Sequence, residues 1–442
     1  MTGIRRRQQA LTAFVLGLAV LTVIGLAVLY PYGGPPEADQ QGFAQQGEAP
    51  IDAEILAVRE LGPADDGFSL PGAIAVSVDV RTDDGRRLTI ETVDETGGYA
   101  PGKAVRIAQI NAVDLEEQYA IVDFQRGLPL ALLAVAFGLA VIMLGRWQGV
   151  RALIGLVASA LLIVGFAIPA LLAGRDPTLV AIVVAMAVML VTLPLSHGWS
   201  LTTKAAVAGT AVALLSTVGL ALLSVEATNL TGLSSEDVQF LRFATGQAVD
   251  VRGLLLAGII VGTLGVLDDV TVSQVSTVAA LRRADPSASD RRIFSEALRV
   301  GRDHIAATVN TLFLAYAGAT LPLLILFTVG GGPIAETLTS ELVAQEIVRT
   351  MVGSIGLVLA VPFTTAVAAA TMDPRAPLAH AHGALVTDRV VVPARTTRPT
   401  PVASSESPAD GTPPDTAKGD SPSKDTEWEE SLRNAYGLDE SP

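Results

Sequence analysis

Long apolar runs separated by short polar stretches fill most of the chain, and one segment near the amino terminus breaks that pattern. The first run, residues 11–30, follows Arg5, Arg6 and Arg7. It is long for a signal-peptide core, and Tyr30, Pro31 and Tyr32 are too bulky for a cleavage site, so it predicts an uncleaved signal anchor. After a Gly/Pro/Gln linker the period changes to alternation, which predicts strands over 51–61, 73–81, 87–93, 104–110 and 119–124. Asp83, Asp84 and Gly85 form a hairpin turn, and Pro101-Gly102 is a second break. Five short strands in so few residues predict a small β-barrel, of the OB kind. Seven more runs follow, near 128–144, 152–172, 177–195, 205–224, 253–281, 305–329 and 347–371. Each is close to the 20 residues that a membrane-spanning helix needs.

The pattern therefore predicts a mainly α membrane protein: an eight-helix transmembrane bundle with a small extracytoplasmic β-barrel-like domain inserted after helix 1. The boundaries are a signal anchor over 1–30, the β-domain and its linker over 31–126, a seven-helix block over 127–371, and a disordered cytoplasmic tail over 372–442. Residues 285–301 read as an amphipathic interfacial helix. Ser287 or Ser289 would cap it, and Ile293, Ala297, Leu298 and Val300 would form its apolar side. In the Pro/Thr/Ser/Asp-rich tail, Trp428, Leu432 and Tyr436 at helical spacing read as a short partner-binding helix, with a frayed end as the other reading.

Composition agrees with this class: only 17% of residues are charged, and the mean hydropathy is +0.48. There are no cysteines, which excludes disulfides, thiolate metal sites and cysteine nucleophiles. The formal charge of −14 is concentrated between residues 37 and 126, where 18 acids face 7 bases. An acidic, aromatic-poor β-domain argues against nucleic acid and for a rigid extracytoplasmic assembly or docking module. Basic residues fall in alternate connections: Arg146 and Arg151, then Lys204, then Arg282, Arg283, Arg291, Arg292, Arg299 and Arg302. By the positive-inside rule both termini are cytoplasmic and the β-domain is outside.

The chemistry concentrates in residues 258–281, where Asp268 and Asp269 interrupt an apolar, glycine-notched run. A carboxylate at a membrane-helix centre costs roughly 2.5–3.5 kcal/mol on insertion scales, so it marks a functional site by default. Gly258 and Gly262 make a GxxxG step and Gly265 adds a notch, which predicts close helix packing. Asp269, Ser273 and Ser276 share one helical face, and Asp268 points about 100° away. The acids lie either at the midplane or toward the cytoplasmic helix end. The next run is the most polar of the others, and its Asn310 is the best partner for either acid. Gly318 and Pro322 could open its backbone. There is no P-loop, no H-E-x-x-H and no nucleophile elbow, and the four histidines are scattered. No enzyme, cofactor or metal site is expected.

The stretches GTLGVLDDVTVSQ and NTLFLAYAGATLPLLILF, after a signal anchor and a small β-domain, resemble the YibE/F-like bacterial membrane protein family over about residues 50–371. The resemblance implies the architecture rather than an activity, with Asp268, Asp269, Asn310, Gly318 and Pro322 as the matching positions. In its order of parts the chain is also similar to proton-driven RND and SecDF-type machines, with two extra spans and a smaller outward domain. Acid-bearing membrane helices of this kind point to an ion-coupled transporter or exporter. The alternative is a membrane-anchored envelope scaffold or assembly protein without transport. An intramembrane aspartyl protease would need its two acids on facing helices. The expected partners are the lipid bilayer, an envelope protein at the β-domain and a second copy in a homo-oligomer, but no nucleic acid.

Overall fold

The computed structural model describes residues 2–33, 50–64, 72–95, 97–110, 118–245, 249–329, 331 and 333–372. The predicted tail, with Trp428, Leu432 and Tyr436, lies outside them, as does most of the linker after residue 33. Helix α1 (Thr2–Leu29) leads to five strands: β1 (Ile51–Pro63), β2 (Ile74–Thr82), β3 (Arg87–Asp94), β4 (Ala104–Ile110) and β5 (Gln118–Phe124). All pairings are antiparallel, in the order β3-β2-β1-β4-β5. A register shift between Ile55 and Ala57 lets β1 bend, and the sheet curls until β3 lies against β5. Alternation drives the curl: Val76, Val78 and Val80 turn inward on β2 and meet Ile55, Val105 and Ile107. The outward positions carry ion pairs, among them Arg59–Asp79, Arg81–Glu54 and Arg106–Asp52. Exposed pairs contribute little each. At the exit from the sheet Arg126 Nη1 donates to Asp123 at 2.6 Å and holds that carboxyl below its ordinary range.

The remainder is helical. Helix α2 (Gly127–Leu162) continues through a π-helical stretch (Ile163–Ala167) into α3 (Ile168–Leu172). Then come α4 (Pro177–His197), α5 (Leu201–Ala227), α6 (Glu236–Ala244), α7 (Val251–Ala284), α8 (Asp290–Ala319), α9 (Leu321–Val329), α10 (Ile334–Thr339) and α11 (Glu341–Thr371). Six helical stretches among the described residues are long and apolar enough to cross a membrane, or seven if the bent pair α8–α9 is one span. One of the six covers Gly127–Leu172, 46 residues, which would run roughly 70 Å if straight. It is not straight. Arg146 has φ 51° and ψ −130°, and a Cβ placed on Gly149 would overlap the Val141 carbonyl. Leu153 Cδ1 likewise comes within 3.9 Å of a Cβ built on Gly138. In a continuous helix residues 138 and 153 would be roughly 22 Å apart along the axis. The chain therefore doubles back at Arg146, and two antiparallel arms replace one long rod.

The interfacial helix expected over 285–301 is not separate. Ser289 caps α8 by accepting from Arg292 N, and α8 then runs unbroken to Ala319. Ile293 and Ala297 are buried as expected, but Val300 is exposed. Gly301 stands where the pattern changes from amphipathic to apolar, but the helix continues through it, buried.

The core is a mutual packing of α4, α5, α7 and α11. Small residues set the distance between α5 and α11. A Cβ on Gly209 would run into Thr364, and one on Gly356 would run into Thr217. The two contacts stand eight residues apart on each helix and in opposite chain order, so one antiparallel register satisfies both. Helix α6 came as an addition: Ser235 caps a short turn of helix, with Phe240 and Phe243 exposed.

Replacing Gly149 with leucine should prevent the arms from closing, since the obstacle is backbone and cannot rotate away. We expect Gly149→Leu to lower the thermal unfolding temperature in detergent, with overpacking of at least about 1–3 kcal/mol. Gly138→Ala should be tolerated. Equal melting of the two variants would contradict the hairpin.

Candidate functional site

Asp268 and Asp269 lie on α7, and the helix turns them to different surroundings. Asp269 is exposed, on a face that also carries Gly258, Gly262, Gly265, Ser273 and Ser276, all exposed. No helix backbone closes on that face. A Cβ on Gly265 would meet nothing within 4 Å, one on Gly258 only Arg349 Nη2 at 3.8 Å, and one on Gly262 only the Tyr316 hydroxyl at 3.3 Å. The expected glycine packing seam is thus not made by these residues. It is made by Gly209 and Gly356 instead.

Asp268 turns toward α4. Its Oδ1 is buried, the Thr192 hydroxyl, also buried, stands against it, and neither group has a partner elsewhere among the described residues. The second arm of α2 closes over Thr192, since a Cβ on Gly155 would touch its methyl at 3.7 Å. Helices α4 and α7 run parallel in one register. A Cβ on Gly253 would lie 2.9 Å from Pro177 Cδ, and Asp268 and Thr192 each follow 15 residues later. That separation is roughly 22 Å along a helix whose 21 residues span roughly 30 Å. The carboxyl is therefore level with the last third of α4, toward the Arg282 end, and close to the middle of the longer α7.

Around it runs a seam of buried polar groups. Thr210 on α5 and Thr271 on α7 share a hydrogen bond of 2.7 Å, and Thr271 Oγ1 also donates to the Asp268 carbonyl at 3.1 Å. Gln274 Nε2 donates to the Ala297 carbonyl at 2.8 Å and to Thr365 Oγ1 at 2.7 Å, joining α7, α8 and α11. Thr364 Oγ1 is buried with no partner. Below the seam, Arg282 closes the bundle end. Its guanidinium donates to the Ala288 carbonyl (2.7 Å), to Asp290 Oδ1 (2.5 Å) and to the Ala369 carbonyl (2.8 Å). Arg7 reaches the other oxygen of Asp290 at 3.1 Å, and Gln8 donates to the Thr371 carbonyl at 3.0 Å. The C-terminal carbonyls of α11 are thus capped by a cation and an amide. In the adjoining turn Ser287 bonds Asp285 through its hydroxyl and its amide, and holds that carboxyl below its usual range.

Asn310 does not join the acids. It is exposed on α8 and lines a groove between α8 and α11. The α8 hydroxyls of Thr308 and Thr311 donate to carbonyls four residues back, to His304 and Ala307. Gly318 and Pro322 flank the meeting of α8 and α9, which bend by 59° about Thr320. Sequence reasoning missed Thr192, Thr210, Gln274 and Arg282. Gln274 was findable as an amide inside an apolar run. Arg282 was read as a loop charge, although its side chain is only 6% exposed. Glu346 was also missed, because the last span was begun at residue 347 and α11 begins at Glu341, and Arg349 was passed over inside that span. They pair at 2.7 Å and are largely shielded. Among the described residues no group of three or more His, Asp or Glu could hold a metal ion.

Arg282→Ala should loosen this end. Three acceptors lose their donor together, and we expect a loss of about 3 kcal/mol of stability, measurable by thermal unfolding in detergent. Arg283→Ala, at a partly exposed neighbour bonded within its own helix, should change little.

Neither the comparison with curated proteins nor that with solved structures gives a match. A family model, described as YibE/F-like protein, matches residues 133–374, from within the first arm of α2 to just past the end of α11. That is more than half of the chain and includes α4, α5, α7, α8 and α11 entire. The chain belongs to the YibE/F-like protein family.

Proposed function

We propose that this protein is an ion-coupled transporter or exporter of the bacterial inner membrane, not an enzyme, in which Asp268 carries the coupling proton or cation. The observation that carries this reading is the buried Asp268 carboxyl oxygen, set in an apolar helical bundle with no cationic partner among the described residues and only the Thr192 hydroxyl against it. A bare charge there is expensive, and a neutral or cation-bound carboxyl is not. The Thr192 hydroxyl, also unspent, completes a two-group site on adjacent helices for one proton or one small cation. Asp269, one residue on and exposed, is the group through which an ion would arrive or leave. Stacked hydroxyls below the acid, from Thr271 and Thr210, give the seam a polar continuation.

On this reading eight crossings place the β-domain outside and both termini inside. The hairpin at Arg146 turns the 46-residue stretch into two spans, and the bent pair α8–α9 counts as one. The curled sheet then serves as an OB-like outer module, whose acid excess suits an envelope partner with a basic surface.

Proteoliposomes containing a pH-sensitive dye, energised by an imposed proton gradient, test the assignment. Asp268→Asn should insert normally and reduce gradient-driven flux to that of empty vesicles. Asp269→Asn should slow the flux without abolishing it. Wild-type flux from Asp268→Asn would remove the carboxyl from the mechanism and leave the scaffold reading in its place.

A further inference from the structure

The groove that holds Asn310 is separate from the acid pair and has a composition of its own. It has a volume of about 750 Å³, within the range of sites that enclose a small organic molecule. Its walls are α8 and the outer turns of α11, and it extends past the bend to Leu324 of α9 and Leu338 of α10. Phe313, Ala317, Ile347 and Met351 supply apolar surface, and no lysine, arginine or histidine lines it.

The polar lining groups differ in what they have left to offer. Thr320 and Thr350 spend their hydroxyl protons on carbonyls of their own helices. Glu346 does not spend its second oxygen. Oε1 accepts from Arg349 Nη1 at 2.7 Å, and the side chain keeps 22% of its exposure. Arg349 does not line the groove and points its Nη2 toward Gly258 of α7. The ion pair is thus oriented, with its carboxylate on the groove side and its guanidinium behind. The Tyr316 hydroxyl lies in the electrostatic range of both and is a lining group. About two turns further along, Asn310 and Ser354 form a neutral polar end.

An apolar slot with one carboxylate end selects for charge as well as for shape. Arg349 already pairs one Glu346 oxygen from behind. An anion would find no lining base on the groove side, and a neutral hydrocarbon would leave the second oxygen without a partner. A hydrophobic cation satisfies both the walls and the acid, and the Tyr316 ring offers it a face. We propose that the α8–α11 groove binds a hydrophobic organic cation, its apolar body against Phe313 and Met351 and its charge at Glu346. This names the cargo class of the proposed transporter and rests on that reading; binding, measured without any gradient, separates the two.

The test uses the full chain in phosphatidylcholine nanodiscs, with tetraphenylphosphonium as probe and tetraphenylborate as the anion of the same shape. Tetraphenylphosphonium should bind saturably and tetraphenylborate should not. Glu346→Gln should weaken binding about tenfold, the loss expected for one charge-assisted contact. Ala317→Trp, which fills the groove and leaves the ion pair intact, should abolish it. Asp268→Asn should leave binding unchanged, so a failed flux assay with intact binding points to the coupling site alone. Equal binding of the two ions, no saturable binding by the wild type, or binding insensitive to both Glu346→Gln and Ala317→Trp would overturn the proposal. So would displacement of the probe when phosphatidylethanolamine replaces the nanodisc lipid, since the occupant would then be lipid.

Discussion

In a bundle surrounded by hydrocarbon, a polar group has no water to fall back on, and it must be answered by another helix or by itself. That constraint orders this protein. Thr210 answers Thr271, Gln274 answers Ala297 and Thr365, and most of the remaining hydroxyls turn back on their own helices. Such partnerships need close helix approach, and close approach needs residues without side chains. The reciprocal placement of Gly209 against Thr364 and Gly356 against Thr217 provides it. Once α5 and α11 are locked in that register, α7 has only one slot left, and the level of Asp268 follows.

The two ends of the bundle are held by single charged groups. At one end Arg282 collects acceptors from the turn before α8, from Asp290 and from α11. At the other, Glu341 Oε1 accepts from the amides of Thr231 and Gly232 and from the Thr231 hydroxyl, all within 2.8 Å. Both ties involve α11, so that helix is fixed in height at each end. Within this frame the Asp268 carboxyl stands out, because its buried Oδ1 has no charged group among the described residues to answer it.

How much of this was legible depends on the range of the interaction. Strands whose side chains alternate and helices whose apolar runs match the bilayer are local features; the strands emerged at nearly the observed boundaries, while α8 and α11 begin well before their apolar runs. Asp268 was visible for the same reason, as an acid in an apolar run. The partner was not. Asn310 and Thr192 are both polar residues in apolar helices, and only the shared register of α4 and α7 brings Thr192 within reach. The glycine stripe on α7 misled in the same way. Gly258, Gly262 and Gly265 look like a packing motif because a sequence shows spacing and not what lies opposite. Glu346 was lost to a boundary placed by hydropathy, which stops a helix where charges begin even when those charges pair with each other.

Helix α7 connects the two places where chemistry is concentrated. Asp268 lies on its α4 side. Toward the other end of the helix, Gly262 faces the Tyr316 hydroxyl and Gly258 faces Arg349, whose partner Glu346 lines the groove. Glycine at both positions lets the groove's polar groups stand against the α7 backbone itself, with no side chain between to absorb a displacement. On the proposed function, a change in occupancy at Asp268 that shifts or turns α7 would alter the seats of Tyr316 and Arg349, and a ligand at Glu346 would in turn bias the position of α7. Coupling of this kind is reciprocal and is limited by the difference in ligand affinity between the two positions of the helix. On the same reading α9, set at 59° to α8 beyond Thr320 and without a buried residue, is the element whose position would differ between those states.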